Sequence, residues 1–253
     1  MFYNQLYAKY PSATYISTIS VSSLTNPPAG IAQDDHLYDS AASFVGMFNK
    51  YDNANRNHPI FVAEYAAIYV AGVSGQIENP TLQTATAEAA FLLGLERNSD
   101  IVVGSSYGAY IKSLGDSPDN VATIKHSANA VVPSLSYYVQ KLFATHHGVK
   151  TLPMSSNTAF GPVYWSSTIS ASGTYYVKIV NFNGAASTPI TVTCTGNSKT
   201  TATLITLTAA SESSSNSLGN MQQIWTETTV SASSAGVFSF TLSGTYISAV
   251  LVV

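Results

Sequence analysis

The sequence predicts an α/β region followed by an all-β sandwich, that is, α/β plus all-β in one chain. Three observations predict it. Over residues 1–150, helix-period and strand-like segments alternate about four times, the pattern of parallel strands joined by helical crossovers. Beyond Leu152 the period shortens to β-branched and aromatic runs separated by Gly, Asn and Ser turns. Charge falls away with that change: Lys178, Lys199, Glu212 and Glu227 are the only charged side chains in 151–253. The expected units are therefore 1–150 and 151–253, the second an antiparallel β-sandwich of about 100 residues.

Each element follows from local pattern. Phe2, Tyr3, Leu6, Tyr7 and Tyr10 recur on one helical face, and Pro11 stops that helix. Thr14 to Ile19 is β-branched and aromatic, a strand, and Asn26-Pro27-Pro28-Ala29-Gly30 is a loop. Ile31 to Tyr38 reads as a strand on which period-two alternation puts Asp34, His36 and Tyr38 on one face. Ala41 to Tyr51 is a helix with Phe44, Val45, Phe48 and Tyr51 on one side. Thr81 to Arg97 is a longer helix, Ile101 to Tyr107 a strand, and Ser134 to Thr145 a helix closed by Gly148. The sandwich strands are read at Thr174–Asn181, Pro189–Thr195, Ala202–Thr208, Gly236–Leu242 and Tyr246–Val253. Trp165 and Trp225 suit packing more than sugar stacking, since aromatics dominate core energetics.

The stretch from Pro59 to Val73 is apolar except for one charge, Glu64. It is too short to cross a bilayer, which needs about 18 apolar residues or more. A lone carboxylate is costly to bury unless it is paired or has a task. The stretch predicts a buried strand, Ile60 to Ala63, delivering Glu64 at its C-terminal end, where barrels of parallel strands carry their chemistry. Local context allows equally a structural carboxylate held by Lys, Arg or a Tyr hydroxyl, and allows His36 as a satisfied histidine at a strand end.

Composition narrows the function classes. Charged residues are 9% of 253 residues, against roughly 25% in a typical domain. With a net charge of −3 and no basic stripe, nucleic-acid binding is excluded. The hydroxyl-rich, charge-poor composition suits a secreted protein handling neutral sugars. The single cysteine, Cys194, excludes an internal disulfide framework and reads as an inert, at least half-buried thiol. The five histidines form no metal pattern. Met1 to Gln5 has neither the basic start nor the apolar core of a signal peptide.

Four motifs occur in order: Asp35-His36-Leu37-Tyr38; Phe61-Val62-Ala63-Glu64-Tyr65-Ala66; Ala87 to Asp100; and Ser136 to Phe143. Together they resemble the α-L-arabinofuranosidases of glycoside hydrolase family fifty-one in their fungal and plant form. Tyr164-Trp165-Ser166 followed by Tyr175 to Asn181 is similar to that family's C-terminal domain. The resemblance covers nearly the whole chain. It implies the C-terminal half of a (β/α)₈ TIM barrel, about strands five to eight, followed by a jelly-roll-like sandwich. It also implies an extracellular enzyme that removes terminal α-L-arabinofuranosyl groups from arabinoxylan or arabinan with retention and needs no cofactor. The implied partner is an arabinose-containing polysaccharide or oligosaccharide, not nucleic acid or a membrane. Residue by residue, Glu64 matches the nucleophile, and His36 and Tyr38 match a His-x-Tyr pair in which the tyrosine contacts the sugar.

The resemblance also sets departures. The family's acid/base is a glutamate preceded by asparagine, and no Asn-Glu pair occurs here. Phe2 to Tyr10 resembles the helix just after that residue, so the expectation is a chain lacking the acid/base. In that case the alternative is a non-catalytic carbohydrate-binding or inactive fragment. The family's tryptophan before a Pro-Asp pair is missing near Pro118-Asp119. Asp34 and Asp35 approach from the wrong side to serve as a substitute acid.

Overall fold

The computed structural model describes residues 2–19, 28, 30–116, 121–222 and 224–253. Most of the 26–30 loop and the Ser117–Asp119 segment lie outside them.

Four parallel strands make the first sheet, in the order β1 (Ile16–Ser17), β2 (Ala32–Ser40), β3 (Ile60–Tyr69), β4 (Val102–Tyr107). Sequential parallel order requires crossovers, and helices supply two of them. α1 (Phe2–Lys9) precedes the sheet. α2 (Ala41–Gly46), continued by a 3₁₀ turn at Met47–Asn49, joins β2 to β3. α3 (Leu82–Arg97) joins β3 to β4. This is an arc of a (β/α)₈ barrel. β1 is shorter than the Thr14–Ile19 run predicts: it pairs with β2 at two positions, and Ile16 and Ile19 stay exposed. Three short strands, β5 (Ile111–Ser113), β6 (Ile124–His126) and β7 (Val131–Pro133), form a separate sheet before α4 (Leu135–Thr145). Runs of three residues carry too little periodicity to be read from sequence.

α3 is buried on both sides. Ala87, Phe91 and Leu95 pack with Phe44, Tyr65 and Ile101 against the parallel sheet. Leu82, Ala85, Ala89 and Leu93 pack with α4 and the sandwich strands. Its start is fixed by a capping box between Thr81 and Thr84, which satisfies two otherwise orphan amides. The alanines let both layers approach, and at Gly94 an added Cβ would lie 2.2 Å from the Phe48 carbonyl oxygen. Gly148 also answers to close approach rather than to a helix cap: α4 ends at Thr145, and a Cβ on Gly148 would meet the Ile169 backbone at 2.4 Å.

The rest of the chain is an eight-stranded antiparallel sheet that folds over into two layers as a sandwich. Its strands are β8 (Lys150–Thr151), β9 (Val163–Ile169), β10 (Tyr175–Phe182), β11 (Ser187–Thr193), β12 (Thr201–Leu207), β13 (Trp225–Ser234), β14 (Val237–Ser243) and β15 (Tyr246–Val252), ordered β11-β14-β13-β12-β15-β10-β9-β8. β13 makes the turn between layers. Its first part pairs with β12 up to Ser231, and from Ala232 it pairs with β14 across a bulge between Ala232 and Ser234. The inner faces meet in a core of Val177, Ile179, Leu204, Phe238, Leu242 and Leu251. Cys194 joins this core, and burial pushes its thiol pKa up, as an inert thiol requires. β13 escapes sequence reading because most of its residues are exposed and it has no apolar alternation.

A buried ion pair ties the helices to the sandwich. Lys178 of β10, 1% exposed, donates to Glu96 of α3, whose other oxygen accepts from Ser166 of β9 at 2.5 Å. Among the described residues, no helix is long and apolar enough to cross a membrane.

Candidate active site

The site grows from the pairing of β2 with β3. His36 is in register with Glu64, and Tyr38 with Ala66. β3 carries one extra residue against both neighbours: Asp34–His36 spans Phe61–Glu64 on one side, and Ser105–Tyr107 spans Val62–Tyr65 on the other. Such a bulge re-aims the side chains beyond it. Before it, Ile60 and Val62 are buried; after it the buried, helix-facing positions become Tyr65 and Ala67. Tyr65 packs tilted against Phe44 and Phe91, with ring centroids at 6.2 and 5.6 Å. Strict alternation would have put Glu64 with Val62 under the helices. The bulge turns it to the opposite face.

Two expectations change as a result. The strand does not end at Ala63 but continues to Tyr69, held by β2 up to Ser40. Glu64 is also not buried: 47% of its side chain is exposed, on the wall of a cleft of about 560 Å³ that Tyr38, Ile68, Gly108 and Val121 also line.

The three residues singled out from sequence come together here, Tyr38 and Glu64 on the cleft wall and His36 beside Glu64. The Tyr38 hydroxyl donates to Glu64 Oε2 at 2.6 Å, and His36 Nδ1 lies 3.6 Å from the same oxygen. Partial burial, then the hydrogen bond to Glu64 and its charge, push the Tyr38 hydroxyl pKa up to about 12, so the phenol keeps its proton to donate. Gly108, just past β4, makes room: a Cβ there would lie 2.6 Å from Tyr38 Oη. His36 Nε2 meets Asp34 Oδ2 at 3.2 Å, so the imidazole is held between two carboxylates. Asp35 points elsewhere, accepting from Tyr51 at 2.7 Å and from Gln33 at 2.6 Å.

A carboxylate that sequence reasoning passed over lies behind the sheet. Glu88 of α3 is fully buried, accepting from Ser136 Oγ at 2.5 Å and from the Ala67 amide at 2.9 Å. Burial, only partly offset by these hydrogen bonds, raises its carboxyl pKa to about 7. The Tyr107 hydroxyl is buried beside Glu88 and Ser136, near enough to help lower the Glu88 pKa but without a hydrogen bond of good geometry. The signal available was a single charge inside the Ala85–Ala90 run, on a helix whose small residues imply packing on both sides. No cluster of three or more His, Cys, Asp or Glu among the described residues could hold a metal ion.

Residues 63–245 match the family model described as the α-L-arabinofuranosidase C-terminal domain. Probable α-L-arabinofuranosidase A of Aspergillus terreus is 36% identical over 246 residues, and α-L-arabinofuranosidase A of Aspergillus niger is 33% identical. In both cases the alignment covers 95% of this chain and 37% of the relative, so the chain spans little more than a third of their length. The arabinose-bound structure of the MgGH51 α-L-arabinofuranosidase superposes with a TM-score of 0.88 at 29% identity, covering 99% of this chain and 41% of the other. The arabinose complex of the Thermotoga maritima α-L-arabinofuranosidase shares the fold, with a TM-score of 0.79 at 16% identity over 99% of this chain and 59% of the other. On the match that spans most of its length, the chain belongs to the α-L-arabinofuranosidase C-terminal domain family.

Proposed function

We propose that Glu64 is the nucleophile of a retaining α-L-arabinofuranosidase site, with Tyr38 and His36 holding it and meeting the sugar. The observation that carries this reading is the 2.6 Å hydrogen bond from Tyr38 to Glu64 on the wall of an open cleft. A retaining glycosidase needs a carboxylate oxygen that attacks the anomeric carbon while the bond to the leaving oxygen breaks. A neutral phenol donating to one oxygen of that carboxylate holds its orientation without bringing a charge into the site. In this reading residues 1–150 carry the site and residues 151–253 form the sandwich that braces α3. The substrate is a terminal α-L-arabinofuranosyl group of an arabinose-containing polysaccharide or oligosaccharide, and the setting is extracellular. Family membership and the arabinose bound to similar structures support that choice.

The leaving oxygen also needs an acid about 5–5.5 Å from the nucleophile. Neither neighbouring aspartate supplies it. Asp35 is engaged by Tyr51, and Asp34 meets His36 on the ring nitrogen remote from Glu64. The test therefore uses a leaving group that needs no proton. With 2,4-dinitrophenyl α-L-arabinofuranoside, the expected result is release of dinitrophenolate that Glu64→Gln abolishes. No release by the unaltered chain, or release that survives the substitution, refutes the assignment. The engagement of both aspartates favours a second reading, capture of arabinose-containing sugar without turnover. Saturable calorimetric binding of arabino-oligosaccharide with no dinitrophenolate release would select it.

A further inference from the structure

Glu88 is a buried carboxylate that the proposed reaction does not use. Its geometry is specific. The Tyr65 carbonyl accepts from the Gly108 amide at 2.8 Å, the last contact of β3 with the β4 side. In a parallel ladder the amide two residues on points the same way, so the Ala67 N–H faces that side beyond the end of β4. A buried amide left there unpaired would be costly. Glu88 Oε1 takes it at 2.9 Å, in the place of a missing strand partner. Its other oxygen accepts from Ser136 at the start of α4. α4 holds the same stretch a second time, because Gln140 donates to the Tyr65 hydroxyl. Tyr65 and Ala67 are the first helix-facing residues after the bulge, and Glu64 is the adjoining residue on the cleft side.

We propose that Glu88 is a positioning residue for Glu64: it anchors β3 at Ala67 and ties it to α4, and this fixes the course of the bulge that aims Glu64 at Tyr38. The proposal rests on reading Glu64 as the nucleophile. Two acceptor oxygens meet two donors, which gives a carboxylate a task at this fully buried site. Glutamine can substitute. Its oxygen keeps Ala67, and its amide donates to the Ser136 hydroxyl oxygen, leaving the Ser136 proton free to turn toward the neighbouring Tyr107 hydroxyl. Leucine cannot, because it leaves both donors unpaired.

Two readouts test this, one independent of catalysis. In protein labelled with ¹³C at tyrosine Cζ, with the Tyr38 signal assigned from Tyr38→Phe, Tyr38 is expected to titrate at about 12 in the unaltered chain. Loosening Glu64 removes the hydrogen bond and charge that help raise it. Glu88→Leu is expected to lower the Tyr38 midpoint by about one pH unit or more. Ser136→Ala, the milder variant to use should the leucine chain not fold, is expected to lower it in the same direction, and Glu88→Gln to leave it near 12. Dinitrophenolate release is expected to slow about tenfold or more in the Leu and Ala variants and to recover in Gln. A general loss of stability would not single out Tyr38 or be rescued by glutamine. An unmoved Tyr38 signal in the Leu and Ala variants, or a glutamine variant that shifts as far as they do, overturns the proposal while leaving the nucleophile standing. Absence of release by the unaltered chain overturns the nucleophile reading instead, and the Tyr38 titration then decides the coupling by itself.

Discussion

Replacing Glu88 by glutamine changes how stability depends on pH, and the size of the change follows from burial. Complete burial raises the folded-state carboxyl pKa from the ordinary 4.5 to about 7, against the opposing hydrogen bonds from Ser136 and Ala67. Below pH 4.5 the group is protonated in both folded and unfolded chains. Between 4.5 and about 7 the unfolded chain sheds the proton while the folded one keeps it, so stability falls as pH rises. Above about 7 the carboxylate is ionised in both states and the penalty is constant. The displacement is worth about 3 kcal/mol, at 1.36 kcal/mol for each pH unit between the two pKa values. Urea unfolding of the unaltered chain and of Glu88→Gln, measured at intervals from about pH 4 to 8, isolates it, because the other titrating groups are common to both. The stability of the unaltered chain relative to the variant is expected to drop by about 3 kcal/mol over that range. Parallel curves, or a relative stability that rises with pH, would refute the argument that Glu88 is a desolvated carboxyl without a compensating charge.

Three further outcomes follow from the packing. Gly108→Ala should push Tyr38 off Glu64, since the new Cβ would lie 2.6 Å from the hydroxyl; the same Tyr38 titration should then fall toward 10 with little loss of melting temperature. Glu96→Ala should destabilise the chain by about 3–5 kcal/mol in denaturant unfolding, because it leaves the buried Lys178 ammonium unpaired. Pairing it with Lys178→Met should recover much of that loss. Cys194 should resist alkylation by iodoacetamide in the folded chain and react only on denaturation, since it is buried and its thiol pKa is raised.

Much of the site was legible in the sequence because it lies on short-range pattern. Alternation along 31–38 puts His36 and Tyr38 on one face, and the apolar run around Glu64 marks it as the residue to explain. The bulge was not legible. It is a mismatch between β3 and two other strands, and one strand's sequence does not record its register against its neighbours. Glu64 was therefore expected at the C-terminal end of a buried strand and is instead half-exposed in mid-strand. Glu88 was missed for a related reason. Its partners, the Ala67 amide and Ser136, lie 21 and 48 residues away, and the need for it arises where β4 stops. In the sandwich, β10, β12 and β15 declared themselves through β-branched and apolar runs that are largely buried. β13 did not, because its purpose is to pass from one layer to the other with its side chains mostly in solvent.

The most direct measurement is to find where the sugar goes. After the chain is mixed with 2,4-dinitrophenyl α-L-arabinofuranoside and quenched in acid, digestion and peptide mass spectrometry locate any pentosyl group left on the protein. The account predicts a single pentosyl group on Glu64, lost in Glu64→Gln and slowed in accumulating when Tyr38 is replaced by phenylalanine. A pentosyl group on any other carboxylate, or dinitrophenolate release with Glu64 never modified, would contradict it.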